Sequence, residues 1–203
     1  MGLMANDKGG GFDPIPEGLH YAICTAVYDL GTHFSEKFSK SAHKVMIQWE
    51  LPEERIEIEK DGEKLNLPRA TSKQYTLSLH EKSILRKDLT SWRGKSFTEK
   101  ELEGFDVMVL AGIHCMIQVI HVKKDTKTYA NIATITPVPK GMPKKTPENP
   151  VRTFSLDDDD SFPEGMPQWV QDIIQESEEF EMKDYMPQGN DEPPPPGDDD
   201  IPF

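Results

Sequence analysis

The stretch from Tyr75 to Leu110, YTLSLHEKSILRKDLTSWRGKSFTEKELEGFDVMVL, changes its period partway along, and that change decides the fold. At its start Tyr75, Leu77 and Leu79 alternate with Gln74, Thr76, Ser78 and His80. This is the two-residue repeat of a strand with one apolar face. After Ser83 the repeat becomes helical. Ile84, Leu85, Leu89 and Trp92 fall on one side, Ser83 stands in the capping position, and Gly94 stands where a helix stops. Thr98 followed three residues later by Glu101 is a capping-box pair, predicting a second short helix that ends near Gly104.

Strands lie on both sides of this element. Before it, Leu19 to Leu30 is small, apolar and β-branched between the turn signals Pro14, Pro16, Gly18 and Gly31, giving strand one. Val45, Ile47, Trp49 and Leu51 alternate with Lys44, Met46, Gln48 and Glu50, giving strand two. An acidic excursion with Asp61-Gly62, read as a hairpin or loop, leads to strand three. After Leu110 and Gly112, strand four runs through Cys115, Ile117 and Val119; Lys124 to Lys127 turn; and strand five covers Thr128 to Thr136 until Pro137 ends it. The chain is therefore mainly β. Three strands, a helical insertion and two strands is the element order of an OB-fold, a five-stranded Greek-key barrel. An open antiparallel α+β sheet has a similar pattern, and the helix between strands three and four favours the barrel.

Charge divides the chain. From Thr153 onward lie 16 of the 36 acidic residues and one of the 23 bases, a net of −15; the rest carries 20 acids and 22 bases, a net of +2. The expected organisation is a flexible leader over 1–13, a barrel domain over 14–141, and an acidic, Pro-rich disordered tail over 142–203. Pro193 to Pro196 and the scarcity of β-branched residues leave that tail little apolar surface to offset chain entropy. Within it, Pro167 to Met182 can form an acidic helix with Trp169, Val170, Ile173 and Ile174 on one face, able to fold on a partner or dock on the barrel. The leader lacks the basic and apolar stretches of a signal peptide, and no apolar run reaches membrane-spanning length. A soluble, cytoplasmic protein without membrane partners is expected. Cys24 and Cys115 sit in apolar alternations without C-x-x-C spacing, as buried free thiols do.

An OB-fold binds oligonucleotides across strands two and three and between the loops joining strands one–two and four–five. The first loop, His33 to His43, holds Phe34, Lys37, Phe38 and Lys40; the second holds Lys123, Lys124 and Lys127, with Tyr129 just after it. Rings interleaved with lysines suit single strands, because unpaired bases stack while ammonium groups follow the phosphates. Two core-facing positions of a helical turn is the competing reading of Phe34 and Phe38. Trp49 and Tyr75 share the apolar phase and are assigned to the core. Lys44, Gln48, Lys73, Gln74 and Thr76 are read as the opposite, polar phase, and Lys44 and Lys73 join the candidate DNA contacts. Arg86, Lys87, Arg93 and Lys95 form a further basic cluster around the helix.

The last six residues, Asp198, Asp199, Asp200, Ile201, Pro202 and Phe203, place an apolar wedge and a carboxylate behind an acidic run. Such a tip suits capture by another protein's basic pocket. It closely resembles the C-terminal tip of bacterial single-stranded DNA-binding proteins. The body resembles bacteriophage OB-fold single-stranded DNA-binding proteins, in the stretches GTHFSEKFSKSAHKVMIQWELP (Gly31 to Pro52), Tyr75 to Leu110 quoted above, and YANIATITPVPKG (Tyr129 to Gly141). This resemblance implies non-specific coating of single-stranded DNA in phage replication, recombination or repair within a bacterial host. Host or phage enzymes of those processes would be recruited by the tip. Catalysis is not expected. Gly94-Lys95-Ser96 lacks the earlier glycine of a phosphate loop, Leu89 standing there, and the six histidines show no zinc spacing. Asp157 to Asp160 lack the alternation of a calcium loop, so neither metal nor cofactor is implied. The rival reading is a protein-interaction adaptor or acidic DNA mimic using the barrel as scaffold.

Overall fold

In the computed structural model residues 13–60 and 62–185 are described. The leader up to residue 12 and the tip Asp198–Phe203 therefore lie outside the described residues. The structure is mainly β, a curled antiparallel half-barrel of five strands with few helices. The strands are β1 (Gly18–Ser35), β2 (Lys40–Lys60), β3 (Glu63–Thr76), β4 (His114–Lys124) and β5 (Lys127–Thr136), in the sheet order β3-β2-β1-β4-β5. Between β3 and β4 lie α1 (Ile84–Arg93), α2 (Glu99–Glu103) and a 3-10 turn, Val107–Leu110. Beyond the half-barrel come β6 (Arg152–Phe154), α3 (Gln168–Gln175) and α4 (Glu178–Tyr185).

The helical insertion forms as its caps dictate. The Ser83 side chain accepts the Arg86 amide, and α1 ends at Gly94 with φ 65°, a left-handed conformation that glycine adopts without strain. Thr98 and Glu101 close the capping box on α2. Leu85, Leu89 and Trp92 then plug the concave side of the sheet against Val45, Ile47, Trp49 and Leu51 of β2 and Cys115 and Ile117 of β4. The Trp92 indole lies 5.7 Å from that of Trp49 and donates to the His114 carbonyl. Trp49 and Tyr75 are in this core, as their phase requires. Both thiols are buried and free; burial pushes Cys24 up to about 12 and raises Cys115 as well.

Strand three departs from its expected place. It ends at Thr76, before Leu77, and begins at Glu63. Of the two readings of the acidic excursion, the hairpin is the one found, and it is long, because Ile56↔Leu67 and Ile58↔Leu65 are cross-strand apolar pairs and Glu59↔Lys64 is one of opposite charge. Pro52 falls in the register shift between Leu51 and Arg55, where a missing N–H costs no ladder bond.

The larger correction concerns the tail. The segment following Gly141 is not disordered throughout: Arg152 to Tyr185 fold onto the convex side of β1 and β2. Strand β6 runs parallel to β1, Ala26↔Arg152 to Tyr28↔Phe154, on the edge of β1 that β4 leaves after Ile23. Ala26, Tyr28, Leu30 and Met46 then form a second core with Phe154, Leu156, Met166, Val170 and Ile174. Trp169, expected on the apolar face of α3, is instead half exposed. Upstream, the fully buried Glu50 carboxylate accepts the amides of Glu148 (2.9 Å) and Asn149 (2.7 Å) and the Asn149 side-chain amide (2.6 Å). Buried carboxylates demand such donors. At Gly31, φ 75°, an added Cβ would stand 2.5 Å from the Ser177 Cβ, so the close seat of the α3–α4 junction needs a residue without one.

Ile174→Ala empties a fully buried position in this second core. The expected loss is about 2–5 kcal/mol of unfolding free energy, measured by urea titration of the full chain; a change below about 0.5 kcal/mol, the level of a surface substitution, would mean that α3 is not part of the folded unit.

Candidate nucleic-acid interface

The loop joining β1 and β2 is shorter than its sequence suggested. Strand pairing continues to Ser35↔Lys40, leaving a tight turn in which the Phe38 amide donates to the Ser35 carbonyl and Ser39 takes a positive φ of 49°. The turn buries neither ring, so the core-facing reading of Phe34 and Phe38 fails. Their side chains are 62% and 65% exposed. Lys37 places its ammonium 5.4 Å from the Phe38 ring centre, and Lys40 is exposed beside them.

From this turn an open groove leads across the sheet to α1. Its first part, about 510 Å³, is lined by Ser35, Phe38, Lys40, Ser41, Lys44 and Thr76. Its second part, about 790 Å³, shares Lys40, Lys44 and Thr76 and adds Lys73, Gln74, Ser78, His80, Lys82, Ser83 and Ile84. Four lysines line this second part and no carboxylate does. Ser83 and Ile84 bring the partly positive N-terminal end of α1 to its far wall. Lys44 donates to the Thr76 hydroxyl at 3.2 Å.

Lys73 needs a correction. It pairs with Ile47, as Tyr75 pairs with Val45, so it shares the inward phase of Tyr75 rather than the polar one. Its ammonium lies 2.7 Å from the Asp88 carboxylate, which also accepts the Tyr75 hydroxyl at 3.0 Å. Burial first, and then the Asp88 charge, push the Tyr75 phenol well above its ordinary value. This triad ties β3 to α1. The basic cluster around α1 is also partly structural: Arg93 pairs with Glu101 and stacks on Phe97 and Phe105, and Arg86 donates to the Leu79 carbonyl.

The second set of expected contacts lies elsewhere. Lys123 and Lys124 end β4, Lys127 opens β5, and Asp125-Thr126 is the two-residue turn. All three lysines and Tyr129 are exposed. The register places this hairpin past the Gly18 end of β1, whereas Phe34 stands at the Ser35 end. Phe34, Lys37, Phe38, Lys40 and Lys44 thus gather at one end, and Lys123, Lys124, Lys127 and Tyr129 at the other. His80, Lys82 and Ile84 were missed by the sequence reading, although Lys82 directly precedes the capping serine of a helix read as such.

The folded tail reaches the groove's entrance through Ser41. In the first turn of α4, Glu178 accepts the Ser41 hydroxyl, and Glu179 accepts the Thr32 amide (2.6 Å) and hydroxyl (2.5 Å). His43 stands between Glu179 (3.4 Å) and Asp29 (2.6 Å). Burial opposes ionisation of Glu179, but the Thr32 hydrogen bonds, helped by His43, outweigh it and hold the carboxyl below its usual range. Comparison with known families, curated proteins and solved structures gives no match, so the functional reading rests on the residues themselves.

Two outcomes are expected. Lys73→Ala leaves Asp88 buried without its cation and lowers stability while leaving any salt dependence of anion binding unchanged; Lys40→Ala does the reverse. Thermal unfolding paired with a salt titration separates the two. The Glu179 carboxyl has a folded value below its unfolded one of about 4.3. Its contribution is therefore present above that value and is lost as pH falls through the depressed folded value. Amide exchange in α4 should rise on such acidification, and Glu179→Gln should remove that part of the pH dependence; identical acid profiles for both proteins would refute the assignment.

Proposed function

We propose that the protein binds single-stranded DNA without strong sequence preference, in phage DNA replication, recombination or repair, and recruits partner enzymes through the tip Asp198–Phe203. The observation that carries this reading is the groove from Phe38 to Ile84, with the exposed Phe38 at its mouth, Phe34 exposed on the same β1–β2 hairpin, and lysines without carboxylates in its lining. Large exposed rings beside ammonium groups have little structural use, but they are what unpaired bases and phosphates require. The fold supports the reading as well. The order β3-β2-β1-β4-β5 with a helix between β3 and β4 is that of an OB barrel opened between its third and fifth strands.

Lys40, Lys44 and Lys82 are the phosphate contacts in this reading, Lys73 being held by Asp88. Phe38 and Phe34 are the stacking platforms. The rival adaptor or DNA-mimic reading draws on one feature, the folded acidic layer in which Asp157, Asp158 and Asp159 border an open pocket with Asp29 and Asp106.

Titration of a labelled single-stranded oligonucleotide and its duplex distinguishes them. Single-strand preference is expected, with Phe38→Ala costing about 1–3 kcal/mol of binding. Replacing Lys40, Lys44 and Lys82 together by alanine should reduce the salt slope by about 2, at roughly 0.7 per phosphate contact. Equal affinity for duplex and single strand, or binding to neither, would refute the proposal, and binding to neither would favour the rival.

A further inference from the structure

The β1–β2 hairpin carries opposite charges toward its two ends. Its tip, Ser35 to Lys40, holds Lys37, Phe38 and Lys40 against the single acid Glu36. Toward its base lies an open pocket of about 620 Å³. Val45, Leu77, Phe105, Val107 and Met108 give this pocket apolar walls, and Leu77 is exposed. Asp29, Asp106 and Asp157 to Asp159 also line it, with His43, and among the described residues no lysine or arginine does.

Local structure accounts for three of those aspartates. Asp29, Asp106 and Asp159 accept the backbone amides of Gly31, Met108 and Ser155. Asp157 and Asp158 stand exposed at the rim. The pocket thus joins apolar walls to an anionic edge. Glu178 and Glu179 of α4, which accept the Ser41 and Thr32 hydroxyls, extend the acids along the hairpin stem.

Strand phase puts Phe34 on the pocket's side of the hairpin. It pairs with Ser41, and Ser41, His43 and Val45 share one side of β2. His43 and Val45 line the pocket, whereas Lys40 and Lys44, on the other phase, line the groove. The exposed Phe34 ring lines neither part of the groove, so the groove alone does not explain it. From Phe38 to His43 is five residues, roughly 17 Å at 3.3–3.4 Å each, so the tip does not meet the pocket of its own copy.

We propose that two copies of the chain pair through this face when DNA is absent, the tip of each hairpin, with Lys37 and Phe38, entering the other's pocket and Phe34 covered between them. A ring flanked by ammonium groups meets apolar walls under carboxylates, a match in both polarity and charge. Both halves of the contact stand on one hairpin, so antiparallel apposition satisfies both at once and closes as an isologous dimer. The pair also regulates the groove. Phe38 and Lys40 are covered in it, so single-stranded DNA and the second copy compete for the same tip. This consequence, unlike the pairing itself, rests on the single-strand reading of the groove.

Sedimentation equilibrium of the full chain without DNA is the test, with melting curves as the folding check. A monomer–dimer equilibrium that weakens as salt rises is expected. Phe34→Ala should weaken it about 30-fold, the level of an interface anchor. Lys37→Glu alone, and Asp157→Lys with Asp158→Lys, should each weaken it about tenfold or more. All three charge reversals together should restore the dimer, which no folding defect would do. A short oligothymidylate in excess should convert dimers into complexes holding one copy. A chain that stays monomeric, or dimers indifferent to both sets of charge reversals, would overturn the pairing. Dimers that persist with oligothymidylate bound overturn the competition and leave the pairing. If oligothymidylate does not bind, the reading of the groove falls, and the charge reversals alone decide the pairing.

Discussion

The structure depends on covering β1. From Tyr21 to Gly31 every residue of this strand is buried, so it has no solvent face. Its concave side supplies Ala22, Cys24 and Val27 to the half-barrel core, and its convex side supplies Ala26, Tyr28 and Leu30. A sheet buried on both sides needs a layer on each. The helical insertion covers the concave side, and the chain beyond Gly141 must return to cover the convex one. That return also satisfies edges and charges. Strand β6 takes the donors and acceptors of β1 beyond the reach of β4, and the segment at 148–149 satisfies Glu50. These contacts join residues 98 or more positions apart, an arrangement of high contact order that favours slow folding.

Covering β1 also fixes where a ligand can bind. On the outward phase of β2, Met46 lies in the second core and Glu50 under the returning segment. Much of the face that an open strand pair would offer to an oligonucleotide is therefore taken. What remains open is displaced toward the Lys40 end of β2, the outer strand β3 and the start of α1. This is why His80, Lys82 and Ile84 line the groove while Gln48 does not. The same tail that narrows the face also reaches Ser41 at its mouth, since α4 seats Glu178 and Glu179 against Ser41 and Thr32.

Much of this was legible in the residues. The alternations at Val45–Leu51 and Cys115–Val119, the Ser83 and Thr98 caps, and the stops at Gly94 and Pro137 all act locally and could be read locally. Strand three was misplaced because Leu77 and Leu79 continue the alternation of Tyr75 beyond the strand's end at Thr76, where the Leu77 amide makes a last bond to the His43 carbonyl, while Ile56, Ile58, Leu65 and Leu67 were hidden among charges. The phase of Lys73 follows by counting from Tyr75 and was misread. The folded tail had a signal in β1 itself: an unbroken apolar run rather than an alternation means two buried faces, and only one was accounted for. Net charge hid the partner. Val170, Ile174, Met166 and Phe154 are few among sixteen acids, but they are spaced to meet a surface already apolar. The lining of the groove was only half legible, because it depends on bringing Lys40 and Lys82 together across β3, which no local pattern encodes.

In the proposed function, charge segregation reconciles an anionic protein with a polyanionic ligand. At physiological ionic strength the screening length is about 8 Å, so a phosphate in the groove responds to Lys40, Lys44 and Lys82 far more than to carboxylates across the sheet. Those nearest the groove's mouth are already engaged: Glu178 and Glu179 hold Ser41, Thr32 and His43. The total of −13 acts at longer range. It opposes approach of nucleic acid most strongly when salt is low, the same condition under which the lysine contacts are strongest. In the proposed function the two dependences oppose each other. On that proposal the acidic layer would disfavour loose, purely electrostatic adsorption and leave binding to ligands that also present unstacked bases to the exposed rings.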